Sequence, residues 1–240
     1  MVNTYRNAAV LDWGEIVYTV IAIDGPAGAG KSTLARRVAD RLNFKYLDTG
    51  AMYRAVTLYV LNNDIDIQNI DKIISFLNKI EIEFLSDKTG SKNKRPQVLL
   101  NKENVTKKIR KPIIDKHVSN IARIKEVRNF LRKKQRDIAR SQNIIVDGRD
   151  IGTRVFPEAD FKFYVTASLE ERAKRRYLEK GKTEKSLEDI KNEIKRRDNI
   201  DKNRKYSPLQ KADDAVLIDT SDLTVKETVD KILEIIKKHQ

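Results

Sequence analysis

Val17 to Asp24 is β-branched and apolar along most of its length, which predicts a strand buried on both faces. Leu34, Val38 and Leu42 then recur at helical spacing, so a helix follows. Phe44 to Leu47 predicts a short second strand, and Ala51 to Leu61 a helix with Ala51, Ala55 and Leu58/Tyr59 on one face. The pattern changes after Asn62. Asp71 to Asn78 reads as a short amphipathic helix, and Ile80 to Phe84 alternates at period 2, as a half-buried strand does. Asp87 to Arg95 is polar and reads as a loop; Gln97 to Leu100 and Val105-Thr106 follow as strand-like pieces. Farther on, Ile121, Ile124, Val127, Leu131 and Ile138 mark one long helix. Ile144 to Val146 and the Phe161, Phe163, Val165 set predict parallel strands. Ser168 with Glu171 makes a capping box opening the next helix. Ala215 to Ile218 is the last strand. Thr224 with Glu227 caps a final helix whose Val225, Val229, Ile232, Leu233 and Ile236 face the core. Strands alternating with helices predict an α/β fold: a doubly wound parallel sheet with helices on both faces and a small antiparallel insert.

Composition adds limits. The chain has 240 residues, enough for one such domain with an insert, and 40% hydrophobic residues, enough for a core. No apolar run approaches 18 residues, so no membrane span is expected. The expected parts are an extension over 1–16, disordered and without periodicity; a core over 17–63 and 119–240; the insert over 64–118; and a highly charged stretch over 170–205. Asp12 and Glu15 argue against a transit peptide, and no cysteine is present, so the expected setting is the cytoplasm. Two histidines are too few for a histidine-based metal centre.

The turn between the first strand and helix changes the picture most. Gly25-Pro26-Ala27-Gly28-Ala29-Gly30-Lys31-Ser32 is G-x-x-x-x-G-K-[ST], a phosphate-binding loop, and Thr33 follows it. Its glycines let backbone N–H groups turn inward around a polyphosphate, and the following helix adds its positive end. Lys31 can reach β- and γ-phosphates, and the Ser32 hydroxyl can ligate Mg²⁺.

The net charge of +14 is compatible with nucleic-acid binding, an anionic small substrate or a lysine-rich solvated surface. The arginines cluster beside motifs while the lysines scatter, which favours the last two. Arg172, Arg175 and Arg176 fall at i, i+3 and i+4 on one helix face. Such a face is ordinarily solvated, yet beside a phosphate-binding loop it suits a lid that closes over phosphates. Arg197, Asp201 and Arg204 share a stripe led by Leu187, Ile190 and Ile194. Charges on a core-side stripe call for a ligand. Asp147 follows the apolar run Ile144 to Val146, at the carboxyl end of a strand, where open α/β sheets place ligands. It fits a carboxylate touching Mg²⁺ directly or through water, or a plain turn residue before Gly148.

Four blocks, GPAGAGKST, LDTGAMYR (Leu47 to Arg54), DGRDIGT (Asp147 to Thr153) and RRDNIDKNR (Arg196 to Arg204) followed by SPL, resemble bacterial cytidylate kinases, in order from about Val17 onward. The resemblance implies a nucleoside monophosphate kinase moving the γ-phosphoryl group of Mg·ATP to CMP, and to dCMP, with Mg²⁺ bound alongside ATP, in a monomer. It implies that Arg54 and Thr49 hold the acceptor phosphate, that Ser119 and Arg128 read cytosine, and that Asp201 and Arg204 hold acceptor ribose and phosphates; Asp150 is suited to a donor on the same base, and Arg197 shares the stripe of Asp201 and Arg204. Arg149, Arg175 and Arg176 join Lys31 as the groups that neutralise transferring charge, with Arg172 on the donor phosphates. The chain departs from the family at Lys202, where members often have Arg, and near Lys125, where they often have Pro. Residue by residue, Arg54 also reads as a surface salt-bridge arginine, Tyr53 as core packing and Ser119 as a helix N-cap. Another P-loop kinase, with UMP as acceptor, is the nearest alternative. A basic nucleic-acid-binding protein is the alternative of another class, and only Tyr177 and Tyr206 accompany its basic stretch.

Overall fold

In the computed structural model, which describes residues 9–10, 16–85, 95–181 and 185–239, a two-residue ladder comes first, β1 (Ala9–Val10) against β2 (Ile16–Val17). Most of the expected 1–16 extension and of the 87–95 loop lies outside the described residues. Next come β3 (Val20–Asp24), α1 (Lys31–Leu42), β4 (Lys45–Asp48) and α2 (Thr49–Asn62). The insert holds α3 (Ile70–Phe76), β5 (Ile82–Leu85), β6 (Gln97–Leu100) and β7 (Glu103–Asn104). After it come α4 (Pro112–Ile121), α5 (Lys125–Ala139), β8 (Ile144–Asp147), β9 (Phe161–Thr166), α6 (Leu169–Lys180), α7 (Leu187–Asn203), β10 (Val216–Asp219) and α8 (Val225–Lys238).

Five parallel strands run in the order β10-β9-β3-β8-β4. The apolar runs make sense here because both faces are covered. Ile21, Ile23 and Ile145 point into a layer with α1 and α8, while Ala22, Ile144 and Val146 point into the layer of α2, the insert, α4 and α5. β3 is central, and its neighbours come from far later in the chain. Their carboxyl ends form the crevice at the switch of strand order, which places Asp24 and Asp147 there. α2 is buried nearly all round because it lies between the sheet and the insert. β5, β6 and β7 form a separate antiparallel sheet. Among the described residues no helix is long and apolar enough to cross a membrane.

Four local expectations need correction. The long helix expected through Ile121 to Ile138 is two helices, broken at Ala122–Ile124; Pro112, at the first position of α4, marks the start the apolar pattern did not. The second strand-like piece is Glu103–Asn104, since Asn101 and Lys102 take positive φ (48° and 69°) and turn the chain two residues earlier. Ser168 caps Glu171 N–H, but the box is half made: the Glu171 carboxylate accepts from Arg175 instead. The Thr224 and Glu227 box is complete, though Val225 is exposed.

Candidate active site

Phosphate-binding chemistry begins with backbone. The loop from Gly25 to Gly30 turns through three glycines at positive φ. Gly25 allows nothing larger, since a Cβ there would lie 1.9 Å from the Val165 carbonyl oxygen. Among the described residues the N–H groups of Gly28 to Ser32 make no hydrogen bond, which leaves five donors for an anion at the start of α1. Lys31 is buried and donates to the Pro26 carbonyl at 2.6 Å. Burial first, and Arg149 second, hold its ammonium well below the usual lysine range, so an anion beside it would be strongly favoured.

Asp147, at the end of β8, meets this loop. Ser32 Oγ donates to its Oδ2 at 2.7 Å and Tyr46 Oη to its Oδ1 at 3.0 Å, while Thr49 Oγ1 donates to its carbonyl at 2.6 Å. Burial and the nearby Asp48 push its carboxyl up to about 6. It is therefore the last residue of a strand rather than a turn residue, and its side chain faces the loop. No cluster of three or more metal-ligating side chains occurs among the described residues. A hydroxyl and one carboxylate still fit a hard cation that takes most of its oxygen ligands from phosphates and water.

The opposite wall is built from side chains. Arg128 Nη2 pairs with Asp150 Oδ1 at 2.6 Å, both residues being buried. Arg128 also donates to the Ala122 carbonyl, which the break between α4 and α5 exposes, and lies 5.2 Å from the centre of the Tyr53 ring. Arg204 lies 3.8 Å from Asp150 and 3.5 Å from Asp201, and Asp201 accepts from Arg149 Nε at 3.0 Å. Arg128 Nε, Asp150 Oδ2, Arg197 Nε and Arg204 Nη2 are buried with no hydrogen-bond partner among the described residues. Unpaired groups of this kind are costly unless something binds them. Burial, then Arg149, bring the Arg197 guanidinium down to about 10.

Arg54 is not a surface arginine: it is buried, donates to the Ile109 carbonyl at 3.0 Å and pairs with Asp115 of α4. Arg176 Nη2 reaches the other Asp115 oxygen at 3.3 Å. Ser119 sits inside α4, half-buried, so it is not an N-cap. Arg172 donates to the carbonyls of Ala167 and Ala27 and to Asp198, and Arg175 to Glu171 and Thr220. Thr33 N–H bonds the Gly30 carbonyl in the first turn of α1.

Four carboxylates and a phenol at the site were not singled out by the sequence. Asp24 ends β3 and accepts N–H bonds from Ile151 and Gly152 at 2.9 and 2.7 Å, tying the Asp150 turn to the loop strand. Asp48 pairs with Arg110 at 2.8 Å, Asp115 with two arginines, and Asp198 lies inside the RRDNIDKNR block. Tyr46 holds Asp147. Asp115 and Asp198 gave a weak signal because carboxylates in charge-rich helices look like solvated faces, while Asp24, Tyr46 and Asp48 read as parts of strands.

A family model described as cytidylate kinase matches residues 21–238. A cytidylate kinase of Caldanaerobacter subterraneus subsp. tengcongensis is 51% identical over 222 residues, covering 91% of this chain and 95% of its own. One of Alkaliphilus oremlandii is 48% identical over 92% of this chain and 98% of its own. One of Carboxydothermus hydrogenoformans is 48% identical, at 90% and 96%.

Proposed function

This chain belongs to the cytidylate kinase family, and we propose the following division of labour for its reaction, transfer of the γ-phosphoryl group of ATP to CMP to give CDP and ADP. The acceptor phosphate is already anionic near neutral pH, so no general base is needed. The barrier lies in bringing two polyanions together, which cations and positioning lower. The N–H groups of Gly28 to Ser32 and the Lys31 ammonium hold the β- and γ-phosphates. Ser32 and Asp147 would hold Mg²⁺, which neutralises charge on those phosphoryl oxygens when bound. Arg54, Thr49 and Arg197 hold the acceptor phosphate, and Arg149, Arg175 and Arg176 face the transferring group. The core is 17–63 with 119–240, the insert 64–118 is the acceptor-binding part, and 170–205 contains the lid. The enzyme works as a cytoplasmic monomer, with dCMP as a second acceptor.

The observation that carries the choice of base is the Arg128–Asp150 pair with its unpartnered atoms. A buried carboxylate oxygen beside buried guanidinium nitrogens complements cytosine, which offers an amino donor at C4 and acceptors at N3 and O2. Uracil reverses C4 and N3 and would meet acceptor with acceptor. Ser119 stands on the neighbouring helix, and Asp201 and Arg204 complete the wall toward the ribose. Coupled ADP release with CMP, dCMP, UMP, AMP and GMP tests the reading. CMP and dCMP should turn over at least about a hundredfold faster, as kcat/KM, than UMP, because a buried polar mismatch is heavily penalised. A preference for UMP would overturn it.

A further inference from the structure

Ala27, the third residue of the phosphate loop, is held at every point. Its N–H donates to Asp198 Oδ1 at 2.9 Å, and its carbonyl accepts from Arg172 Nη1 at 2.9 Å. The same arginine nitrogen donates to Asp198 Oδ2 at 2.5 Å, which closes a ring around one residue's backbone. The Ala27 methyl packs with Ala173, Ile190 and Ile194 in a small apolar cluster shared by α6 and α7. Arg172 and Asp198 are only 8% and 7% exposed, and Arg172 Nε is fixed on the Ala167 carbonyl.

A carboxylate beside a polyphosphate site would ordinarily repel the ligand. Here Arg172 neutralises it, so the pair offers Ala27 an acceptor and a donor with no net charge. The amides free for phosphate begin at Gly28, one residue past the one that is held. Gly28 itself lies against Arg172, where a Cβ would come within 3.1 Å of the Arg172 Cβ and carbonyl oxygen. The loop's curvature is therefore set from outside, by two helices that follow it by well over a hundred residues.

We propose that Asp198, acting with Arg172, is a positioning residue for the donor-phosphate loop: α6 and α7 grip Ala27 so that the Gly28 to Ser32 amides converge. This rests on reading that loop as the ATP site. It also gives Arg172 a different task from gripping phosphate directly.

Calorimetric titration of Mg·ADP and, separately, CMP tests this on wild type, Asp198→Ala and the Arg172→Met, Asp198→Ala double variant, with thermal melts alongside. Asp198→Ala should weaken ADP by about tenfold, as losing a charged hydrogen-bond partner does, and leave CMP within about twofold. Asp198→Ala strands a buried guanidinium and should also lower Tm; the double variant removes both charges and should regain Tm. ADP affinity should stay low in the double variant. Recovery of ADP affinity together with Tm would mean a stability role only and would overturn the inference. Unchanged ADP binding, or equal losses for ADP and CMP, in the folded double variant would do the same. Wild-type protein that binds no ADP would instead overturn the donor-site reading, and the inference with it.

Discussion

On the proposed assignment, the donor side and the acceptor side of the crevice would meet the same chemical group, a phosphate, with different materials. The donor side is mostly backbone: N–H groups in one short loop, held by glycine geometry and by the grip on Ala27. The acceptor side is mostly charged side chains, from α2, α4, α5, the turn after β8, and α7, already paired with Asp115, Asp150 and Asp201. Amides carry no net charge and need no counter-ion. Buried arginines do, because an unpaired buried charge costs several kcal/mol. The wall proposed for the acceptor is therefore already an ion-pair network, and on that reading a nucleotide would bind by taking over partners.

The largest test of the contrast is Lys31→Ala. It removes the loop's own cation, and kcat should fall by about 10²–10³-fold with the fold intact by circular dichroism. Retention of most activity would remove the basis for calling the loop the donor site.

Asp24 ties the two sides together, so it probes whether they act as one body. Burial pushes its carboxyl up from 3.8 to about 6, against the two N–H bonds from Ile151 and Gly152. The folded state then keeps a proton that the unfolded chain has released across that window. Stability from this group is thus present below about pH 4 and is lost as pH rises to 6, by about 3 kcal/mol. Asp24→Asn abolishes the titration. Denaturant melts from pH 3.5 to 7 should show the variant gaining on wild type by about that amount. A constant difference across the range would rule this out.

Asp150→Ala should narrow the preference for CMP over UMP by about tenfold or more, since the carboxylate would face the group that distinguishes the bases. Equal losses for both acceptors would make Asp150 a holder of Arg128 rather than a reader of the base. The smallest expected effect concerns motion. The α6–α7 hairpin is pinned at Arg172 and Asp198, so any closure would fall in the turns beyond those pins, where Arg176 and Glu179 reach Asp115 and Arg95. Amide exchange in the far turns should slow by about tenfold with a bisubstrate analogue, while the pinned turns, already protected, should change little. Uniform slowing along both helices would argue for a hairpin that moves whole.

The contrast also decided what could be read from sequence. The donor loop is local, and its spacing names its chemistry before any fold is known. So is the sheet, because strands covered on both faces read as apolar runs. The acceptor wall joins Arg54, Arg128, Asp150 and Arg204 across 150 residues, and single arginines carry no spacing signal; only the resemblance of whole blocks grouped them. The break between α4 and α5 escaped because Ile121 and Ile124 continue a helical pattern across it. Asp24 and Asp198 escaped for another reason: one reads as the end of a strand and the other as one charge among many. Both are visible only once distant segments are brought together.

The position of β3 also sets an order of events during synthesis. It is the central strand, but its partners β8 and β9 begin about 120 residues or more after it ends, so at ribosomal speed it waits on the order of 10 s for either. The hairpin of β6 and β7 needs no such wait, because its strands are adjacent in the chain. A nascent chain stopped near residue 140 would hold the acceptor-side helices and a bare apolar strand, with no donor site. Until β8 and β9 emerge, Ile21 and Ile23 are exposed strand surface of the kind chaperones bind and aggregates recruit.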